Sequence, residues 1–324
     1  MPRDTSEQPT VAQTGEFGLI RALTEGRAQP PFTLLGPGDD AALVAAPDGR
    51  VVASTDVLVE GVHFRLDWST PEQVGRKAVA VNLADIAAMG ALPSSVLVGF
   101  ACPGETPAAV LTGLADGMWA EAERAGIGVV GGDVVRSDNL VVSITALGDL
   151  NGLPPVTRAG ARPGDVVAVC GRLGWAASGL VVLGRGFRSP VGVVNAHRYP
   201  EPPYAAGPAA ASAGATAMID VSDGLLADLG HIAKASEVGI DVRTEALQPD
   251  QRLQEVAAAL GADAQHWVLT GGEDHALVAT FPPHVDLPSG WRRIGSVTMP
   301  ESGVTVDGRP YVTEETGWEH WKTS

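Results

Sequence analysis

The run Asn82-Leu83-Ala84-Asp85-Ile86-Ala87-Ala88-Met89-Gly90 sets one carboxylate among neighbours that are almost all apolar. It closes an Ala-rich stretch whose pattern predicts a helix over Pro71 to Met89. Asp85 on such a helix points into a protein interior or a cleft. An unpaired carboxylate there costs several kcal/mol even after relaxation, so the fold has to supply a cation, a hydrogen-bond network or a proton. Arg76 and Lys77 are the candidate partners within the protein, and a metal ion is the other.

Further acidic clusters sit at element ends beside glycine or small residues, where backbone can approach a ligand closely. Gly38-Asp39-Asp40-Ala41-Ala42 precedes an apolar run and reads as a turn, a helix cap or a metal site. Ser54-Thr55-Asp56 falls inside a β-branched strand expected at Val51 to Glu60, and three hard oxygen donors in a row suit Mg²⁺ as well as surface hydrogen bonding. Gly131-Gly132-Asp133 ends a strand expected at Gly128–Val130 and leaves room for a phosphate or makes a plain turn. Asp220-Val221-Ser222-Asp223-Gly224 opens a helix expected at Leu225–Ser236. Asp223 can cap that helix, yet two carboxylates three positions apart around a serine exceed what capping needs, and helix N-termini attract phosphate.

The remaining pattern is that of two α/β (α+β) halves. Helices are expected near Gly15–Glu25 and at Pro107–Ala125, with strands at Ser95–Ala101 and Leu140–Leu147. The turn signals of Asn151-Gly152-Leu153-Pro154-Pro155 mark a boundary. Beyond it come a strand at Asp165–Cys170, a helix around Trp175–Leu183, a Pro-rich loop through Tyr199–Pro203, a strand at Ala217–Val221, a helix at Leu253–Leu260 and a strand at Ala276–Phe281. The division expected is a disordered leader over 1–14, an N-terminal domain over 15–150 and a C-terminal domain over 151–324.

Charge and composition exclude several function classes. Lys and Arg number 22 against 38 Asp and Glu, a formal net charge of −16 without the basic runs that neutralise nucleic-acid phosphates. The three lysines Lys77, Lys234 and Lys322 follow no glycine, so a phosphate loop ending in Gly-Lys-Ser/Thr is absent. Neither a membrane-spanning run nor an apolar signal core occurs, and Cys102 and Cys170 form no metal-binding pair; a cytoplasmic protein is expected. If the acidic clusters converge, their repulsion requires several divalent cations, and a cleft of that kind suits a nucleoside triphosphate and a second phosphate.

Taken in order, the motifs GEFGLI (15–20), GDDAALV (38–44), STDVLVEGVHF (54–64), GRKAVAVNLADIAAMGA (75–91), GGDVVRS (131–137), TRAGARPGD (157–165), DVSDGLLADLGHIAKAS (220–236) and GGEDHAL (271–277) closely resemble the thiamine-monophosphate kinase family. That family belongs to the superfamily of aminoimidazole ribonucleotide synthetase and selenophosphate synthetase, and the resemblance runs from about Gly15 to Trp321. It implies the two-domain fold of that superfamily, with the N-terminal sheet pairing across a homodimer and a C-terminal domain covering the nucleotide. It implies transfer of the ATP γ-phosphoryl group to thiamine monophosphate, with several Mg²⁺ ions. Carried over position by position, Asp40, Ser54, Thr55, Asp56, Asp85, Asp133, Asp220 and Asp223 match the metal ligands. Gly132, Asp133, Arg158 and Ser222 match ATP contacts, and His63, Glu273 and Trp318 match contacts to thiamine monophosphate.

The chemistry agrees with a site rich in Asp. The acceptor is a phosphate oxygen ionised near neutral pH, so alignment and charge neutralisation carry the catalysis in place of a strong general base. The chain departs from the family at His275, where a larger aromatic is usual, at Trp318, which replaces a smaller aromatic, and in the Tyr199–Ala206 loop, which lacks an arginine. Two competing readings are another ATP-dependent member of the superfamily, of the amidine-forming cyclo-ligase type, and a non-catalytic acidic protein that binds divalent metal.

Overall fold

The computed structural model describes residues 9–37, 41–300 and 303–311, with Glu16 and Phe17 described in the backbone only. The chain divides into two compact units, Met1–Leu83 with Pro93–Asp149, and Ala84–Leu92 with Leu150–Ser324.

The first unit opens with α1 (Val11–Thr14) and α2 (Glu16–Thr24), then pairs β1 (Thr33–Leu35) with β2 (Leu43–Val44). The α1 turn lies where a structureless leader is expected from sequence. The cause is a capping box: Gln13 N–H donates to Thr10 Oγ1 at 3.3 Å, and Thr10 N–H donates to Gln13 Oε1 at 2.8 Å. There follow β3 (Val52–Val59), α3 (Pro71–Ala88), β4 (Leu92–Cys102), α4 (Ala108–Ala125), β5 (Gly128–Arg136) and β6 (Val141–Asp149). Their four-stranded sheet has the order β3-β6-β4-β5, so β3 and β5 are its outer strands. β3 and β6 are antiparallel from Val52↔Gly148 to Val59↔Val141, while β4 and β5 run parallel.

β5 continues to Arg136, well beyond the end expected at Val130. The glycines there mark a bulge and a close approach instead of a stop. The register shifts from Val96↔Val129 to Leu97↔Gly131, and a Cβ on Gly132 would lie 2.0 Å from the Val98 carbonyl oxygen. Asp133 accordingly sits within the strand.

The second unit holds β7 (Val166–Cys170), α5 (Trp175–Gly184), α6 (Val191–Arg198), α7 (Ala206–Ser212), β8 (Ala217–Val221), α8 (Leu225–Ser236), β9 (Gly239–Val242), α9 (Gln251–Leu260), α10 (Ala264–Thr270), β10 (Ala276–Phe281), β11 (Arg292–Thr298), β12 (Val304–Val306) and β13 (Arg309–Pro310). Its seven-stranded sheet has the order β13-β12-β9-β11-β7-β10-β8. β7, β8, β9 and β10 are buried along their whole length, which is why they read as near-continuous apolar runs. Phe281 and Trp291 meet edge to face at 5.4 Å in the core beside Ala168, Met218 and Leu277.

α3 and α4 touch backbone to backbone. A Cβ on Gly75 would stand 1.9 Å from the Leu114 carbonyl oxygen, and one on Gly117 would stand 1.9 Å from that of Glu72. Each substitution Gly75→Ala and Gly117→Ala should therefore destabilise the protein by about 1–3 kcal/mol through overpacking. Gly230→Ala, where the added methyl meets nothing within 4 Å on α8, should stabilise by roughly 0.5–1 kcal/mol. Thermal and denaturant midpoints check both signs.

Candidate functional site

The acidic motif of the second unit is carried at the end of β8, an outer strand of its sheet. Asp220 is 4 % exposed, and the chain then turns through Ser222-Asp223-Gly224 into α8. The Gly271–His275 loop prolongs the β10–β8 ladder past the pair Ala276↔Val221: His275 N–H donates to Val221 O at 2.9 Å and Glu273 N–H to Ser222 O at 2.8 Å. Glu273 and His275 both take left-handed backbone, with φ of 65° and 51°. Non-glycine residues rarely adopt it, and it is a form of strain that clusters at functional sites.

The side chains of this loop are clamped one after another. His275 Nδ1–H donates to Asp220 Oδ2 at 2.9 Å; an ionised carboxylate is acceptor-only, which assigns the proton to Nδ1. Burial pulls the His275 pKa down, but the Asp220 bond and the charges of Asp220, Glu273 and Asp85 outweigh it and leave the pKa raised. Asp274 accepts N–H bonds from Gly174 at 2.5 Å and Ala176 at 2.8 Å, at the start of α5. The Glu273 carboxylate lies 3.1 Å from Nδ1 of His197 on α6.

Asp228, which sequence reasoning passes over as an ordinary helical position, is 1 % exposed and faces this same turn. Its Oδ2 accepts from both Asp223 N–H and Gly224 N–H at 3.1 Å. Two backbone donors that a phosphate could have used are thus engaged by the protein, and Gly224, not Asp223, is the N-cap. Asp223, Asp228 and the exposed His231 bring ligand atoms within 4.8 Å of one another. The signal that finds them is spacing, since Asp228 and His231 are three apart and share a helix face.

Asp85 is half-buried on the last turns of α3, in the segment counted with the second unit, and close enough to act on His275. The structure thereby brings Asp85, Asp220, Asp223 and Asp228 into one electrostatic neighbourhood. Arg76 and Lys77, the partners weighed for Asp85, make contacts of their own with Glu121 and with the His63 carbonyl, both at 3.1 Å. Arg158 is exposed, and its carbonyl accepts from Ser236 Oγ at 2.9 Å. Ser236 ends α8, so Arg158 and Ser222 are anchored at opposite ends of that helix.

In the first unit, Ser54 and Asp56 share one face of β3, while strand alternation turns Thr55 to the other. Thr55 Oγ1 donates to Ile144 O at 2.9 Å. Asp56 is exposed, and its N–H donates to Asn82 Oδ1 on α3 at 2.9 Å. The His63 Nδ1 accepts from Val59 N–H at 3.0 Å, which fixes the ring. Asp133 is exposed on β5, with its Oδ1 accepting from Val134 N–H at 2.8 Å. Asp40 and Trp318 lie outside the described residues.

Comparison with known proteins places this geometry in context. The family described as AIR synthase related protein, N-terminal domain, matches residues 38–150. The chain is 55% identical over 319 residues to the thiamine-monophosphate kinase of Mycobacterium tuberculosis, covering 98% of this chain and 94% of that one. It is 44% identical over 327 residues to that of Corynebacterium glutamicum, covering 98% and 96%. Among solved structures, AaThiL complexed with AMPPCP and TMP superposes with a TM-score of 0.77 at 32% identity, covering 98% of this chain and 100% of that one.

Burial, reinforced by the charges of Asp220 and Asp223, pushes the Asp228 pKa from 3.8 up to about 8 against the two backbone bonds that favour its ionised form. The folded state then holds a proton that the unfolded chain releases near its ordinary value, so the metal-free protein loses stability as pH rises from about 4 through about 8. Asp228→Asn keeps an oxygen for both N–H groups and removes that titration. Thermal midpoints of metal-free protein should fall several degrees further in the wild type than in the variant between about pH 5 and about pH 8.5. Equal slopes would assign the proton elsewhere.

Proposed function

The chain belongs to the thiamine-monophosphate kinase family, and on that premise we propose that it transfers the γ-phosphoryl group of ATP to the phosphate of thiamine monophosphate, giving thiamine diphosphate and ADP. The observation that carries this reading is the gathering of Asp220, Asp223 and Asp228 around the β8–α8 turn, with Asp85 near enough to act on His275. Such a site is equipped to neutralise charge on two polyanionic reactants.

The residues suit divalent cations. Their donors are hard carboxylate oxygens, and burial together with the nearby charges of Asp220 and Asp223 raises the Asp228 pKa, which marks a place where gathered carboxylates are costly without a cation. We assign Asp40, Ser54, Thr55, Asp56, Asp85, Asp133, Asp220 and Asp223 to hold several Mg²⁺ ions. When bound, the cations neutralise the phosphates and polarise the group being transferred.

The protein's own part is alignment. An acceptor phosphate oxygen forms the new bond to the γ-phosphorus as the bridging oxygen to the β-phosphorus departs with ADP. The acceptor is already anionic, so no side chain has to remove a proton. Gly132, Asp133, Arg158 and Ser222 bind ATP in this reading. The anchoring of Arg158 and Ser222 at opposite ends of α8 supports a grip on two different parts of the nucleotide. His63, Glu273 and Trp318 bind thiamine monophosphate, with the His63 ring oriented by Val59 N–H.

The protein acts as a cytoplasmic homodimer paired through the four-stranded sheet. The open outer strands, with Val57 and Val135 exposed, support the pairing. No helix among the described residues is long and apolar enough to cross a membrane.

Purified protein supplied with ATP, Mg²⁺ and thiamine monophosphate should form thiamine diphosphate, followed by chromatography; absence of product sinks the reading. Asp85→Asn should lower kcat by about 100-fold or more with the circular dichroism spectrum preserved, and near-normal turnover would make Asp85 structural. His63→Ala should raise KM for thiamine monophosphate about tenfold, equivalent to losing ~1.4 kcal/mol of binding. An effect confined to ATP would contradict its role.

A further inference from the structure

Asp220 is the penultimate residue of a strand that is buried throughout, and its carboxylate lies beside the Asp228 carboxyl group. The torsion that turns a carboxylate about its last bond is soft, so nothing intrinsic to Asp220 decides which way its oxygens face. Among the described residues, the hydrogen-bond donor to this side chain is His275, at 2.9 Å. That donor is itself held firmly. Its backbone N–H is tied to Val221 O, its φ is left-handed at 51°, and the preceding residue, Asp274, is locked onto the start of α5. A flexible carboxylate therefore meets a rigidly presented N–H.

We propose that His275 is a positioning residue which, through its Nδ1–H bond to Oδ2, holds the Asp220 carboxylate in the orientation that binds a divalent cation. This rests on the assignment of Asp220 as a metal ligand made above. Ligating carboxylates depend on such outer partners, whose loss typically weakens metal binding by about 10–100-fold. His275 needs no contact with substrate for this role.

The test uses Mn²⁺ as the probe, with bound and free ion distinguished by electron paramagnetic resonance, on full-length protein without nucleotide or thiamine monophosphate. Asp220→Asn defines the site by the Mn²⁺ it fails to bind. His275→Phe, which keeps an aromatic ring and removes the donor, should weaken Mn²⁺ at that site by about tenfold or more. In turnover, it should raise the Mg²⁺ concentration required and leave kcat at saturating Mg²⁺ close to wild type. His275→Asn should restore binding, because its Nδ2 stands as many bonds from Cα as the imidazole Nδ1 and asparagine tolerates left-handed backbone. Thermal midpoints confirm folding, and His275→Ala replaces His275→Phe if the latter does not fold.

Wild-type Mn²⁺ affinity in His275→Phe, or affinity in His275→Asn as weak as in His275→Phe, overturns the proposal. If Asp220→Asn binds Mn²⁺ like the wild type, the ligand assignment falls and the proposal with it. The expected Mn²⁺ pattern without thiamine diphosphate formation would instead leave His275 in its role and remove the substrate reading.

Discussion

Three aspartates, Asp220, Asp223 and Asp228, meet where β8 runs into α8, and the cost of gathering their carboxyl groups, two of them almost wholly buried, is the constraint around which the second unit is arranged. Like charges at short range in a low dielectric are far more costly than on a surface. The local fold answers with donors. Asp228 receives two backbone N–H groups of the turn, and Asp220 receives an imidazole N–H delivered by the Gly271–His275 loop. Delivering it requires left-handed backbone at Glu273 and His275, a cost of about 1–3 kcal/mol each that the adjoining ladder bonds sustain. A cation bound to the folded state alone would add to stability.

The proposed ligands of the two units live in different electrical environments. Asp56 and Asp133 stand exposed on outer strands, where water and salt screen them. Among those of the second unit, Asp220 is almost wholly buried. A cation held through Asp220 would feel a stronger field and depend more on how that donor is oriented. The exposed set exchanges its ligands with water at little cost.

Much of the second unit is legible in the sequence because its strands are apolar runs closed by Asp and Gly. Ala217–Val221, Leu225–Ser236 and Ala276–Phe281 have the same bounds in sequence and structure. The exceptions have local causes. Glycine reads as a strand end at Gly131-Gly132, whereas it serves there to admit the Val98 backbone. The Thr10–Gln13 capping box builds a turn inside an otherwise polar leader. The acidic motifs identify the family, yet Asp228 escapes notice because an acid on an amphipathic helix ordinarily faces water. Linear spacing likewise gives no hint that Arg158 is fastened to the far end of α8 by Ser236, or that Thr55 turns away from its neighbours.

The backbone contact of α3 with α4 bears on motion. Where glycines let two helices meet main chain to main chain, there are no rotamers to exchange, so the junction has no side-chain entropy to lose and no soft torsions through which to yield. α3 carries this stiffness to the residues it holds: Asn82 receives the Asp56 N–H of an outer strand that would otherwise fray, and Lys77 grips the carbonyl of His63. Slow amide exchange belongs to such junctions, and fast exchange to unsupported edges. In this unit a strand at the margin of its sheet borrows the rigidity of a helix pair, and two groups assigned to ligand binding are kept still by residues that touch no ligand.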